Sequence, residues 1–324
     1  MLNLYHDKEE FVMNRTIAVD TGKFATKALM RRTDGTERFL SFRTKMQETR
    51  KTEVKGKSFI VEYKNKRYLL GEQAEVISSK TTKAEEMHRI ATYTTLAQLA
   101  DSGDNIVVVL GCPLSVYENT ESKRQYKEYM FPERQIHIKV NDTTKHLNIT
   151  SVIVLPESSG VIYLEQELCE KAVVGIIDIG GLNVNCCVYN KTVPVLPTLY
   201  TDNLGSNVLL QELKNALAIK YNEDIPDWMM EDVLTQGYLT DNMSLDGVRV
   251  GSREFIREFK QNHIHKIIQK CEANHWNLRT TRLIFSGGTS ELLKEEIKTL
   301  LPGATILDEP AKANVRGFLK AVIE

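Results

Sequence analysis

Val173-Val174-Gly175-Ile176-Ile177-Asp178-Ile179-Gly180-Gly181, followed by Leu182-Asn183-Val184-Asn185-Cys186-Cys187-Val188-Tyr189, is the stretch on which the reading of this chain turns. Uninterrupted β-branched and aliphatic residues predict a strand buried on both faces. The glycines then let the chain reverse into a second strand and leave backbone N–H groups unobstructed at the turn. Such a turn suits a phosphate. An Asp at the strand end would repel bare phosphate, so it fits best where a hydrated divalent cation lies between the two. By itself D-x-G-G also fits an ordinary hairpin.

A second copy of the pattern changes that balance. Thr16-Ile17-Ala18-Val19-Asp20 reads as a short strand, Thr21-Gly22-Lys23 as a turn, and Phe24 to Met30 as the returning strand. Asp34-Gly35 marks the next turn, before Phe39 to Phe42. The first 13 residues read as a polar extension.

Between the two copies, Arg43 to Lys57 is polar, basic and without period, which predicts a solvated loop, with a partner-binding surface as the alternative. Ser58 to Tyr63 and Lys66 to Leu70 alternate around Lys64-Asn65 as a hairpin, and Ala84 to Ala100 has the apolar spacing of a helix. Asn105 to Leu110 is a buried strand whose position after a helix predicts parallel pairing. Ser115 to Met130 reads as a charged helix, Gln135 to Val140 and Lys145 to Thr150 as a hairpin, and Gly160 to about Cys169 as a helix. The second half repeats the order. Strands are expected at 174–180, 184–189 and 193–199, helices at about 205–221, 228–235 and 252–275, then strand 282–285 and helix 289–300. Two βββαβα-like halves with a cleft between them follow from that repetition.

Composition narrows the function. With 324 residues and a formal net charge of −1, the chain can bury a large core and is not built to coat nucleic acid directly. No apolar run reaches the roughly 20 residues of a membrane span. Asp7, Glu9 and Glu10 occupy the place where a secretory signal would be apolar, so a cytoplasmic protein is expected. Five cysteines, an odd number, lack a C-x-x-C pair and are expected to be reduced and structural. Trp228 and Trp276 are expected to pack, and His88, His137 and His146 to be packing or surface residues. His263, His265, Cys271 and His275 share a long helix, which keeps a zinc site open without a second ligand pair to support it.

Two further motifs carry chemistry. Pro156-Glu157-Ser158-Ser159-Gly160 places a carboxylate at a helix entry, either as a capping acid or to orient the water that attacks a γ-phosphate. Leu283-Ile284-Phe285-Ser286-Gly287-Gly288-Thr289-Ser290 is a buried strand running into a Gly-Gly turn that opens a helix, offering flat access to a base or phosphate.

In this order the motifs resemble those of the actin, heat-shock chaperone and sugar-kinase superfamily, over about residues 15 to 322. Ile17 to Gly22 with Lys27 is similar to its first phosphate motif, Ile176 to Gly181 to its second, and Ser286 to Thr289 to its adenosine motif. Leu155 to Ser158 and Ala313-Asn314-Val315-Arg316-Gly317-Phe318 are similar to its connecting segments. Within it, the P-E-S connector and the A-N-x-R-G-F ending most resemble the bacterial actin-like plasmid-segregation proteins, the ParM family. The resemblance implies a duplicated α/β, actin-like (ribonuclease H-like) fold of two domains, 1–156 plus 312–324 and 157–311, with a nucleotide cleft between the halves.

It also implies ATP or GTP with Mg2+ as cofactors. Asp20 and Asp178 would hold the hydrated metal, and Glu157 would position water. Thr21, Gly22, Gly180, Gly181 and Asn183 would contact phosphates, with Lys27 facing them. Gly287, Gly288 and Thr289 would border the nucleoside, joined by Asn203, Gly205, Glu212 and Lys214. Leu182 and Asn183 depart from the family's usual D-x-G-G-T-T and remove at least one hydroxyl contact to phosphate. The implied function is a nucleotide hydrolase that forms head-to-tail filaments and moves plasmid DNA through a centromere-binding, ParR-like adaptor, without binding DNA or membrane itself. A small-molecule kinase of the same superfamily is the alternative; it would need an acceptor-side base and a substrate pocket, for which no inserted segment stands out. A nucleotide-dependent scaffold for cell shape would call for an amphipathic membrane helix, and Met1 to Met13 has too few apolar residues for one.

Overall fold

The computed structural model describes residues 13–32, 34–78 and 82–323. The polar extension expected over residues 1 to 13 therefore lies outside the described residues, apart from Met13. The chain divides into two compact units, one running to Ser159 and resuming at Val315, the other Gly160–Asn314.

In the first unit the strands are β1 (Asn14–Thr21), β2 (Ala25–Arg31), β3 (Glu37–Arg43), β4 (Met46–Glu48), β5 (Ser58–Tyr63), β6 (Lys66–Gly71), β7 (Asn105–Cys112), β8 (Gln135–Val140) and β9 (Thr143–Pro156). They form one sheet in the order β3-β2-β1-β7-β9-β8-β5-β6-β4. Strand β7 runs parallel to β1, and the return is made by helix α1 (Glu86–Leu99), whose Ile90, Ala91, Tyr93 and Leu96 are fully buried. The hairpin turn at Lys64-Asn65 has positive φ at both residues, the geometry that matches strand twist in a two-residue turn. Residues 145 to 155 belong to a single strand, β9, which pairs antiparallel with β8 and then parallel with β7.

The stretch expected to be a loop from Arg43 to Lys57 is partly sheet. Met46 to Glu48 pairs with β6, and Met46 is buried; one apolar residue was enough to close the edge of β6, too little to register as a period. The helix expected from Ser115 to Met130 is two, α2 (Leu114–Glu118) and α3 (Thr120–Met130), because Asn119 turns outward and its side chain accepts from the Ser122 N–H at 2.8 Å as an N-cap.

The second unit begins with α4 (Ser159–Leu164) and α5 (Gln166–Lys171), again two short helices where one was expected. Strands β10 (Val173–Ile179), β11 (Val184–Asn190), β12 (Val193–Pro194) and β13 (Tyr200–Asp202) follow. The strand expected at 193–199 is broken by its prolines: Pro194 ends β12 and Pro197 sits in a 3-10 turn, Leu196–Thr198. Helices α6 (Ser206–Tyr221), α7 (Met230–Gln236) and α8 (Ser252–Ala273), strand β14 (Arg282–Ser286), helices α9 (Gly288–Leu292) and α10 (Lys294–Leu300) and strand β15 (Thr305–Ile306) complete the unit. Leu293 separates α9 from α10 within the helix expected from 289 to 300. Helix α11 (Ala313–Ile323) ends the described chain.

The second sheet has the order β12-β11-β10-β14-β15. Both sheets thus share a core plan: an antiparallel meander entered at its inner strand, then two strands parallel to that strand. The duplicated α/β architecture is present in full. Val174, Ile176, Ile177 and Ile179 of β10 are completely buried. Gly175 among them leaves room for the Trp276 ring, whose Nε1 donates to the Thr198 carbonyl at 2.9 Å. Trp276 packs as expected. Trp228 does not: it is 77% exposed, because Ile225 and Met230 on either side take the core positions.

Candidate functional site

In the first unit Asp20 lies near the end of β1, directly across the ladder from Lys27. Opposite residues of an antiparallel pair project to the same face, so the two groups share one side of the hairpin. Gly22 makes the turn, its N–H donating to the Ala25 carbonyl at 3.1 Å; a Cβ there would stand 2.8 Å from that oxygen. The Thr21 hydroxyl is 2.8 Å from that of Thr92 on α1, which locks the hairpin to the crossover helix. Gly111, near the end of β7, keeps the Asp20 carboxylate and the Phe318 ring of α11 close: a Cβ would lie 3.6 Å from Asp20 Oδ1 and 2.9 Å from the ring.

Glu157 follows β9 directly. Its N–H donates to the Cys112 carbonyl at 2.7 Å, and Ser158 after it has φ 68°, a left-handed conformation that a residue with a Cβ seldom adopts. The Lys83 ammonium donates to Glu157 Oε1 and lies 3.9 Å from Asp20 Oδ1. Lys83 is 7% exposed. Burial alone would push its ammonium down, but the carboxylates of Glu157 and Asp20 together hold it above its ordinary value.

In the second unit Asp178 occupies the matching place near the end of β10. The Gly180 N–H donates to the Asn183 carbonyl at 2.8 Å and closes the turn. The turn's carbonyls cap the helices that follow: Gly180 accepts from the Ser206 N–H at 3.1 Å and the Thr289 hydroxyl at 2.8 Å, and Gly181 accepts from the Asn207 N–H at 2.8 Å. Gly205 is required for this approach, since its Cβ would stand 2.5 Å from the Leu182 carbonyl carbon. Gly287, at φ 86°, is pressed against Ile179 and the Asp178 carboxylate, which a Cβ would strike. Gly288 has only Ala311 near, at 3.7 Å. Asn314 donates through Nδ2 to Asp178 Oδ2 at 3.3 Å.

The remaining candidates separate. Asn203 is exposed, its N–H donating to its neighbour Asp202 at 2.8 Å. Glu212 pairs with Lys266 of α8 at 2.7 Å beside a hollow of about 400 Å3 that also includes His263 and Gln269. Lys214 pairs instead with Asp227 at 2.6 Å beside a hollow of about 530 Å3 lined by Leu210 and Trp228. Two positions apart on α6 is about 200° of helix rotation, so these two residues face different hollows.

The helix expected to keep zinc open uses its groups elsewhere. His263 Nε2 meets the Leu204 carbonyl at 3.0 Å and Cys271 Sγ meets the Tyr200 hydroxyl at 3.1 Å. Among the described residues no group of three His, Cys, Asp or Glu is arranged to hold a metal directly. The donors around each hairpin are hard oxygens, the ligand type that magnesium takes.

Sequence reasoning missed Lys83 and the contact of Asn314. Lys83 ends the run Ser78-Ser79-Lys80-Thr81-Thr82-Lys83, where composition cannot distinguish one lysine from another. Asn314 stood within a recognised connector with no pattern to mark its side chain.

Two sheets with one core plan, each carrying an Asp–Gly hairpin on its inner strand, make an actin-like fold. Residues 18–160 match the family of actin like proteins, N terminal domain. It is 28% identical to the protein of the Alp12 filament structure, with a TM-score of 0.72 over 96% of this chain and 98% of that one. A 15-stranded ParM filament from Clostridium botulinum is 18% identical, with a TM-score of 0.71 over 96% of this chain and 99% of that one. Ta0583, an archaeal actin homolog in complex with ADP, is 17% identical, with a TM-score of 0.72 over 94% and 97%; these last two likenesses are of fold. No curated protein sequence matches the chain. No helix among the described residues is long and apolar enough to cross a membrane.

Proposed function

We propose that this chain is a nucleotide hydrolase that binds ATP or GTP with Mg2+, assembles head-to-tail with copies of itself, and moves plasmid DNA through a DNA-binding adaptor in the cytoplasm. The observation that carries the reading is the repeated hairpin, with Asp20 and Asp178 each next to last on the inner strand of its sheet. Asp20 and Asp178 would hold the hydrated metal, whose charge offsets that of the phosphates. Thr21, Gly22, Gly180, Gly181 and Asn183 contact phosphate, Lys27 adds positive charge on the Asp20 face, and Glu157 orients the attacking water. Gly287, Gly288 and Thr289, with Asn203 and Gly205, border the nucleoside; Glu212 and Lys214, which face different hollows, are alternatives for the base.

Self-assembly is supported by likeness to filament-forming proteins, and nucleotide binding by likeness to a homolog in complex with ADP. Open filaments need only a head-to-tail contact that does not close into a ring. A net charge of −1 fits a protein that meets DNA through a partner. Calorimetric titration with ATP and GTP, each with and without Mg2+, tests the site. Magnesium-dependent binding that is lost in Asp178→Ala is expected; equal affinity in that variant would reject the assignment.

A further inference from the structure

Resting on the hydrolase reading, we propose that Lys83 is a positioning residue for hydrolysis, fixing the Glu157 carboxylate in the direction from which it orders the attacking water. Three remote parts of the chain meet here: Lys83 ahead of α1, Glu157 after β9, 74 positions away, and Asp20 on β1. Side chains of Lys83, Glu157 and Asp20 are only 8%, 12% and 13% exposed. A buried ion pair seldom adds net stability over apolar packing, so an ammonium placed between two carboxylates calls for another role. Without it, Asp20 and Glu157 would repel each other across a poorly solvated space and Glu157 would turn away.

Glu157 is restrained by its backbone as well. Its N–H is held by Cys112, and Ser158 sets the chain in a left-handed turn immediately after it. Those two contacts fix where the Glu157 backbone lies, and Lys83 holds its carboxylate. Water positioning is sensitive to errors of about 1 Å, which can cost about 10²-fold in rate. Lys83 thus adds a side-chain restraint to one already built into the backbone.

The test is steady-state phosphate release with Mg-ATP and Mg-GTP for Lys83→Met, Lys83→Arg, Glu157→Gln and the Lys83→Met/Glu157→Gln double variant, with thermal melts of each. Lys83→Met is expected to lower kcat on the order of 10²-fold, as when one preorganised donor is removed, with KM nearly unchanged. Lys83→Arg should recover most of the loss, and the double variant should be no slower than Glu157→Gln alone. Turnover of Lys83→Met at the wild-type rate, or losses that multiply in the double variant, would overturn the proposal. Should Lys83→Met melt far below the wild type, Lys83→Gln gives the same comparison with a smaller loss of polarity. A wild-type protein that releases no phosphate from either nucleotide removes the hydrolase reading itself; an active wild type with an equally active Lys83→Met removes only the role of Lys83.

Discussion

Asn314 donates a hydrogen bond to the Asp178 carboxylate at 3.3 Å, tying the start of α11 to the end of β10. The same stretch of chain, Pro310 to Asn314, also receives the Gly287 N–H on the Pro310 carbonyl at 3.0 Å. Asp178 is therefore set by two neighbours, one with a donor and one with no side chain. Replacing Asn314 with Asp would put a second carboxylate beside it. Hydrogen bonds to charged groups contribute about 1.5–3 kcal/mol, so Asn314→Asp should weaken Mg-nucleotide binding by about tenfold or more in calorimetry, and Asn314→Ala by less. Equal affinity in all three proteins would show that Asn314 does not set Asp178.

Gly287 and Gly288 are adjacent, yet they should respond oppositely to a methyl group. At Gly287 the added Cβ meets the Ile179 carbonyl and the Asp178 carboxylate, in a left-handed conformation; at Gly288 it meets nothing closer than 3.7 Å. Gly287→Ala should lose more than about 1 kcal/mol in urea denaturation, because the native φ is incompatible as well as crowded. Gly288→Ala should stay within about 0.5 kcal/mol of the wild type. A Gly287→Ala protein as stable as the wild type would mean that this approach is looser than described.

Glu157 is assigned to the water and not to binding. Glu157→Ala should still pellet as polymer with nucleotide and release phosphate slower by about 10²-fold or more, the scale of a positioned acid–base group. Normal phosphate release would remove Glu157 from the mechanism.

The five cysteines are buried thiols outside any disulfide. Burial pushes the Cys112 thiol up to about 12 and the Cys169 thiol up to about 11. A native sample at pH 8 should therefore react with a disulfide reagent only as fast as it opens, and all five thiols should react once it is unfolded. The sign for stability follows from linkage. Above the ordinary thiol value of 9.0 the unfolded chain releases protons that the folded chain keeps, so stability falls as pH rises through that window, by up to about 1.4 kcal/mol per pH unit for each such thiol. Rapid labelling of the native protein would contradict the burial.

Much of this fold was legible because its signals are local. Val174 to Ile177 carries no polar side chain and reads as a buried strand, and the same strand, Asp and Gly plan at Ile17 to Gly22 exposed the duplication. Breaks in elements were less legible where one residue decided them: Asn119 caps α3, Pro197 turns the chain out of its strand, and Met46 draws a polar stretch onto the edge of β6. The site divided along the same line. Asp20, Asp178 and Gly287 sit in turn motifs whose chemistry is written in adjacent residues. Lys83 and Asn314 act through contacts across 74 and 136 positions of chain, which no local pattern records. Glu212 and Lys214 show the converse, near in sequence and turned apart by the helix.

Under the proposed function, nucleotide drives assembly and is consumed by it. Sedimentation and phosphate release should be followed together after adding Mg-ATP or Mg-GTP, with electron microscopy of the pellet. Filaments should appear with at least one nucleotide and disperse as phosphate release ends. Pellets absent at every protein concentration, with phosphate passing instead to a small-molecule acceptor, would contradict it.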